Sequence, residues 1–486
     1  MLLLIPILLP ILVGCSLPLL RIKNRSSKLL LIFLTLAVSA GAALAAASQD
    51  ALSLTVLSIN EPLTIAFRLD SLGKIFAIFN ALLWLLIGVY AFRYMSHEKN
   101  EDRFFSFLLL ALGCTMALDF SANLFTMYLA FELITLTTFP LVLHNQQPDA
   151  IRASLKYLFY SIAGAFLALF GLFIIASYST GTSFVLGGAL SPESMSTHRG
   201  LLLTAAFCCL IGFGAKCGLY PLHGWLPTAH PVAPAPASAL LSALVVKAGV
   251  FCCIRSVYYL IGADFLQGSW VQTIWIILAL LTVFMGSMMA YREKRLKKRL
   301  AYSTVSQVSY ILLGLACLNA DGATGGLLHS VFHALIKSGL FMIAGAIIFE
   351  TGATEVHELK GIGKRMPITL VCWTVLALAL IGIPPTGGFV SKWFLGIGAF
   401  TADLGWLSYA IPVTLLLSAL LTAGYLLPIS INGFLVPKTG EHETAPAVKC
   451  EPTWHMLVPI LLVTMAALLG GVFTEPLIAA LSSVLM

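Results

Sequence analysis

Ala215-Lys216-Cys217-Gly218-Leu219-Tyr220-Pro221-Leu222-His223-Gly224-Trp225-Leu226-Pro227 interrupts an apolar run of membrane-spanning length just after a lysine. Proline removes a backbone donor and clashes with the preceding turn. Irregular backbone at membrane depth survives only inside protein or beside a polar cavity. A second stretch repeats the theme: Gly382-Ile383-Pro384-Pro385-Thr386-Gly387-Gly388 cuts another long run, with Ser391-Lys392 following. The predicted breaks are Pro221 in the first and Pro384, Pro385 and Gly387 in the second. Interrupted spans at matching places in two halves of a chain point to the conduction or binding site of a transporter.

The rest of the chain supports a membrane setting. Of 486 residues, 59% are hydrophobic and 10% charged, against about 25% charged in ordinary soluble domains. A spanning helix needs about 20 mostly apolar residues. Soluble, disordered, collagenous and disulfide-scaffold classes are therefore excluded, and the fold class is an all-α polytopic membrane protein. Apolar runs fall near 2–20, 28–47, 73–92, 104–120, 122–143, 154–178, 200–219, 238–262, 271–290, 304–318, 325–349, 367–401, 409–433 and 455–480, which predicts fourteen helices. The first run lacks a basic stretch before it and reads as a span, not a cleaved signal.

Basic residues set the sidedness. Twenty of the 28 Lys and Arg lie in or beside the loops after helices 1, 3, 5, 9, 11 and 13. Such loops face the cytoplasm, so both termini of this inner-membrane protein are expected outside. Arg68, Lys74, Arg199 and Arg255 fall toward that outer side. The densest loop, Arg292 to Arg299, reads as an anchor for anionic lipid or a partner. The net charge of +7 thus reflects topology and implies no nucleic acid. The breaks fall in helices 7 and 12, five apart, and a repeat of an odd number of helices must be inverted. The expected organisation is a three-helix segment at 1–103, a five-helix repeat (helices 4–8) at 104–262, a second (helices 9–13) at 263–433, and a loop with helix 14 at 434–486.

Ionisable groups inside the spans carry the functional signal, because a charge at a helix centre costs about 2.5–3.5 kcal/mol even on the generous insertion scale. Glu132, Lys216, Lys247, Lys337 and Lys392 all sit within runs. Four lysines against one glutamate cannot all be paired by carboxylates. Desolvation, cations and carboxylates all change a lysine's hold on its proton, so a lysine whose partner moves changes protonation with conformation. The bland reading is a static ion pair or a lysine snorkelling to the interface. His329, His333 and Lys337 recur every four residues on one helical stripe, and histidine titrates near neutrality. His223 and His230 flank the first break, as a cytoplasmic relay or as partners for loose carbonyls. Asp119 and Asn123 read as caps. Ser303, Thr304, Ser306, Gln307 and Ser309 would line a water file or hydrogen-bond between helices.

Other chemistry finds no support. Nine of ten cysteines lie in or beside apolar runs and none forms a CxxC pair, which suits packing. No His, Cys or carboxylate set completes HxxxH as a metal or haem site, so no metal and no cofactor is expected. No phosphate loop, dinucleotide fingerprint or nucleophile–base set appears, and no catalytic residue is assigned.

These motifs in combination resemble a family. Pro221-Leu222-His223-Gly224-Trp225-Leu226-Pro227, Ala229-His230-Pro231, Ser238-Ala239-Leu240-Leu241, Lys298-Arg299-Leu300-Ala301-Tyr302-Ser303 and Ser306-Gln307 look like the antiporter-like subunits of respiratory complex I, Mrp-type multisubunit cation/proton antiporters and membrane-bound energy-converting hydrogenases. His329 to Lys337 and Gly382 to Lys392 fit as well. Thr228 and the proline-rich Pro231 to Pro236 look closer to the Mrp D-type and hydrogenase-type members. The resemblance implies inverted five-helix repeats and a mid-membrane chain of charge. It implies Glu132 and Lys216 as a switchable pair, Lys247 as the bridge, His329 and His333 on helix 11, and Lys392 as the exchanger with the outside. It also implies a proton-translocating subunit working with other membrane subunits of an antiporter, NADH:quinone oxidoreductase-type or hydrogenase-type complex, with sodium as a candidate counter-ion. Two competing readings are a stand-alone secondary transporter of a small solute and a quinone-reducing membrane subunit. Lys216→Ala or Glu132→Ala is expected to abolish coupled proton transport in sealed vesicles while the parent complex still assembles; normal proton movement in either variant defeats the pair.

Overall fold

The computed structural model describes residues 1–50, 52–60, 63–435, 449–482 and 484. Most of the loop expected before helix 14 thus lies outside the described residues. Among the described residues, eleven helices are long and apolar enough to cross a membrane. Helix 4 (Glu101–Asp119) falls short through Glu101, Asp102, Arg103 and Asp119 at its ends, and helix 10 (Leu296–Ala316) is rich in basic and hydroxyl side chains. Helix 12 is divided into Pro367–Ile381 and Gly387–Thr401. Together these account for the fourteen spans read from hydropathy.

The remaining spans are helix 1 (Ile5–Leu20), helix 2 (Arg25–Ala47), helix 3 (Ser71–Tyr94), helix 5 (Leu124–Val142), helix 6 (Pro148–Ser177), helix 7 (Arg199–Cys217, resumed at Leu226–Val232), helix 8 (Ala235–Ile261), helix 9 (Trp270–Arg292), helix 11 (Ala320–Thr351), helix 13 (Leu407–Leu435) and helix 14 (Trp454–Val472). In both five-helix sets the first helix packs along the second, and the third packs along the broken fourth. Helix 8, wholly buried, and helix 11, mostly so, form the middle of the molecule. At 32 residues, helix 11 runs about 48 Å, longer than a bilayer's hydrocarbon core of about 30 Å.

The two breaks are built alike. Each first half ends on a left-handed glycine, Gly218 at φ +77° and Gly382 at φ +91°, a conformation other residues adopt at a cost. The non-helical stretches are 218–225 and 382–386. Gly387, expected in the second break, instead opens the resumed helix. A side chain there would lie 2.2 Å from the Phe332 ring, and one on Gly388 would lie 1.8 Å from the Ala379 carbonyl. These glycines let the resumed half close against helix 11 and its own first half.

Four other features depart from the sequence reading. A two-stranded antiparallel hairpin, Ser53–Ser58 with Thr64–Arg68, lies between helices 2 and 3. The last run divides into helix 14 and Glu475–Ser482. Asp119 caps nothing: it is buried at the end of helix 4 and accepts a 2.7 Å hydrogen bond from Asn80, whereas Asn123 does cap helix 5 through the Thr126 amide. Arg255 is fully buried. Its two terminal nitrogens grip Asp70 at 2.6 and 2.8 Å, and the rings of Phe184, Phe251 and Tyr259 surround it at 4.6–4.9 Å.

Asp70 also caps helix 3 by accepting from the Gly73 amide, so this pair joins the three-helix segment to helix 8. Removing one partner of a buried pair costs about 3–5 kcal/mol, because the other charge is stranded. Asp70→Asn is expected to lower the thermal midpoint of the detergent-solubilised chain markedly, and Asp70→Asn with Arg255→Leu to recover part of it. An unchanged midpoint in the single variant contradicts this account.

Candidate functional site

The resumed and π-helical segments bring polar side chains to the middle of the bundle. Lys216, in the last turn of the first half of helix 7, is 1% exposed. Its ammonium donates to Thr135 Oγ1 at 2.7 Å and to the Tyr157 hydroxyl at 2.8 Å. Tyr157 is tied in turn to Thr138 at 2.7 Å, and the Phe131 and Tyr157 rings lie 5.6 and 4.8 Å from the ammonium. Glu132 is one helical turn away on helix 5. Its carboxylate accepts from the Tyr128 hydroxyl at 3.0 Å, and it forms no ion pair with Lys216 among the described residues. Glu132 is also half-buried rather than deep. The pair implied by the family resemblance is therefore disengaged in this structure, with Lys216 cradled by hydroxyls and ring faces.

Lys247 lies on helix 8 just after a π-helical turn, Leu241–Val245. Such bulges widen the backbone and recur at functional sites. Its ammonium donates to the Ser242 carbonyl at 3.0 Å and meets His333 Nδ1 at 2.5 Å. The His333 and His329 ring centroids are 6.0 Å apart. His329 then contacts Ser391 Oγ at 2.9 Å through Nδ1 and Gln307 Oε1 at 3.1 Å through Nε2, stacked on Tyr310. Lys392, next to Ser391, turns back across the break to cap the last carbonyls of the first half of helix 12, Leu380 and Ile381, at 2.6 Å each. Its ammonium stands 5.4 Å from the Tyr310 ring.

Lys337, fully buried, joins this group by a side branch. It donates to the Leu300 carbonyl at 3.0 Å, which Thr304 also engages, and Thr304 is 2.7 Å from Ser242 Oγ. Helices 7 and 8 touch where Gly249 faces Lys216: a side chain on Gly249 would lie 3.0 Å from Lys216 Cβ. The two ammonium groups themselves have separate partners, hydroxyls for Lys216 and a carbonyl and an imidazole for Lys247. The structure thus brings Lys247, His333, His329, Lys337 and Lys392 into one connected group, and sets Lys216 beside it across a close helix contact.

The histidines of the first break stand apart. His223 stacks on Tyr220 with centroids 5.8 Å apart, and its Nδ1 is buried without a partner. His230 is completely buried, stacks on Phe341 at 4.7 Å, and has no partner at either ring nitrogen. Neither ring serves the loose carbonyls beside the prolines. Among the helix 10 hydroxyls, Ser306 bonds to Ser287 of helix 9 at 2.8 Å and Ser303 to Tyr425 of helix 13 at 2.6 Å, so these tie helices together.

Sequence reasoning missed Thr135, Tyr157, Ser242, Tyr310 and Ser391. Each is an ordinary polar residue of a spanning helix, and only its distance to a buried cation marks it. All ten cysteines are free, and among the described residues no group of three or more His, Cys, Asp or Glu is placed to hold a metal ion.

Comparison with known proteins agrees with this architecture. Residues 121–434 match the family described as NADH:quinone oxidoreductase/Mrp antiporter, transmembrane, and residues 50–105 match that of the complex I chain 5 N-terminus. The N subunit of the NADH-quinone oxidoreductase of Desulforudis audaxviator is 32% identical over 86% of this chain and 84% of its own length. The D-type subunit of the Na(+)/H(+) antiporter of Bacillus subtilis is 28% identical over 97% and 94%. Among solved structures, a chain of the Mrp complex from Dietzia sp. DQ12-45-1b superposes with a TM-score of 0.87 at 21% identity, covering 99% of this chain and 96% of that one. A chain of an archaeal membrane-bound sulfane sulfur reductase superposes at 0.86 and 22%, covering 99% and 97%. Two different membrane assemblies therefore share one helical scaffold with this protein, which belongs to the NADH:quinone oxidoreductase/Mrp antiporter transmembrane family.

Proposed function

We propose that this chain translocates protons as one membrane subunit of a larger assembly. The observation that carries the reading is the buried contact series Lys247–His333–His329–Ser391, ending beside Lys392, in which no cation is neutralised by a carboxylate. A static structural role would favour ion pairs, because an uncompensated buried charge is expensive. Groups that exchange a proton escape that cost by spending part of each cycle neutral.

The steps follow from the contacts. Lys216 moves between Glu132 and its hydroxyl cradle, a shift of about one helical turn, or about 5 Å. A carboxylate holds an ammonium's proton more tightly than hydroxyls do, so retreat from Glu132 frees a proton toward Lys247. Lys247 passes it to His333 Nδ1. The 6.0 Å between ring centroids suits a bridging water on the way to His329, and Ser391 hands the proton to Lys392 for release. Lys337, through Thr304 and Ser242, biases Lys247 by its charge. His223 and His230 would admit protons from the cytoplasmic side, with both termini outside the inner membrane.

Partners follow from Glu132. It is left partly exposed, as Lys392 is, whereas Lys216, Lys247, His329, His333 and Lys337 are buried, so a neighbouring subunit could cover it and move charge near it. The relatives named for NADH-quinone oxidation and for sodium/proton antiport keep both kinds of assembly open as the parent, with sodium as counter-ion in the second. The three-helix, five-helix, five-helix division is carried into this reading as its working parts.

Three outcomes are expected. Tyr157→Phe removes one acceptor of the Lys216 ammonium's hydrogen bonds, a bond to a charged group worth about 1.5–3 kcal/mol, and should cut the turnover of proton pumping by about tenfold or more in vesicles bearing the assembled complex. His333→Ala should stop pumping while leaving assembly intact; a normal rate contradicts the wire. A cysteine placed at Lys294 should react with an impermeant thiol reagent only in inside-out vesicles, and labelling of intact cells would reverse the orientation.

A further inference from the structure

Helices 2, 3 and 14 leave a cavity of about 330 Å³ at the face where the basic loops gather, lined by Arg25, Leu29, Phe92, Arg93, Trp454 and His455. None of the proposed proton groups lies in it. The lining is layered. Leu29 and Phe92 lie farther inside helices 2 and 3 than Arg25 and Arg93, by four residues and by one, while Ser96 and Thr453 lie just beyond the ends of helices 3 and 14 and His455 is in the first turn of helix 14. Its polar groups are guanidinium, hydroxyl, imidazole and indole, and no carboxylate lines it among the described residues. Arg25 is already engaged, with its side chain on Glu101 and on the Phe92 carbonyl at 2.6 Å each. Arg93 forms no ion pair among the described residues. Its Nε is buried without a hydrogen-bond partner, and its guanidinium carbon stands 5.4 Å from the Phe349 ring. Trp454 is 65% exposed and stacks on His455 with centroids 3.7 Å apart.

We infer that this cavity is a binding site for the phosphate group of an anionic glycerophospholipid. An anion would complete the unpaired Arg93, and guanidinium groups match phosphate oxygens in geometry as well as charge. The apolar floor gives the first acyl carbons somewhere to lie, and an exposed tryptophan at this level is where indoles sit at a membrane–water interface. Basic pockets between spanning helices take acidic headgroups for the same reasons. A bound lipid would pin helix 14 to helices 2 and 3.

Trp454 supplies the assay. The purified full-length chain in neutral phosphatidylcholine is titrated with phosphatidylglycerol brominated near the top of its acyl chains, and with brominated phosphatidylcholine as reference. Excess quenching by the anionic lipid is expected, and it should vanish in Trp454→Phe, which places the lipid at this site. Arg93→Gln should weaken that lipid about fivefold, the effect of one interfacial basic residue. His455→Gln, at a partly exposed position in the first turn of helix 14, should weaken it also if Arg93→Gln does not fold. Equal quenching by both lipids, or an excess unchanged in Trp454→Phe or in the folded Arg93 and His455 variants, overturns the assignment. Displacement by millimolar inorganic phosphate would overturn it in favour of a free-phosphate site; resistance to phosphate supports the lipid.

Discussion

Buried cations without carboxylates govern this structure. Lys216, Lys247 and Lys337 are almost wholly removed from solvent, yet each ammonium rests on hydroxyls, a carbonyl or an imidazole. Contrast Arg255, also buried, which holds Asp70 in a bidentate grip inside an aromatic cage. A guanidinium that never deprotonates needs a permanent counter-charge, while a lysine can shed its proton. The two solutions sit in one molecule, and the difference separates the structural charge from the mobile ones.

The broken helices follow from the same need. A continuous helix offers no free backbone groups to a charge at mid-membrane. Ending helix 12 at Gly382 exposes the Leu380 and Ile381 carbonyls, which Lys392 then caps. The π-helical turn before Lys247 loosens helix 8 beside that lysine. Glycine at 387 and 388 lets the interrupted pieces repack without a gap. Irregular backbone, small residues and buried lysines are thus one device.

Much of this was legible in the sequence because a bilayer imposes a length and proline announces a break. The fourteen spans and the lysine flanking each break followed from those two rules alone. What escaped were contacts between residues far apart in the chain. Asp70 and Arg255 are 185 positions apart, and nothing local to either marks the pair. The hairpin at 53–68 is a short polar-apolar alternation between two spans, too brief to stand out. Gly387 looked like part of a break because glycine beside two prolines reads that way, whereas its role is close packing. The hydroxyl cradle of Lys216 was hidden for another reason: Thr135 and Tyr157 differ from other membrane hydroxyls only in what lies across from them. Glu132 and Lys216 could be named as a pair from the family resemblance, but their separation here is a matter of conformation.

A proton that travels from Lys216 by way of Lys247 and His333 to His329 and Lys392 needs a hydrated line. Electron cryomicroscopy of the assembled complex, at a resolution that shows ordered water, tests that need most directly. The account predicts water density bridging Lys216 to Lys247 and His333 to His329. Dry apolar packing across either gap, in every conformation captured, would contradict it.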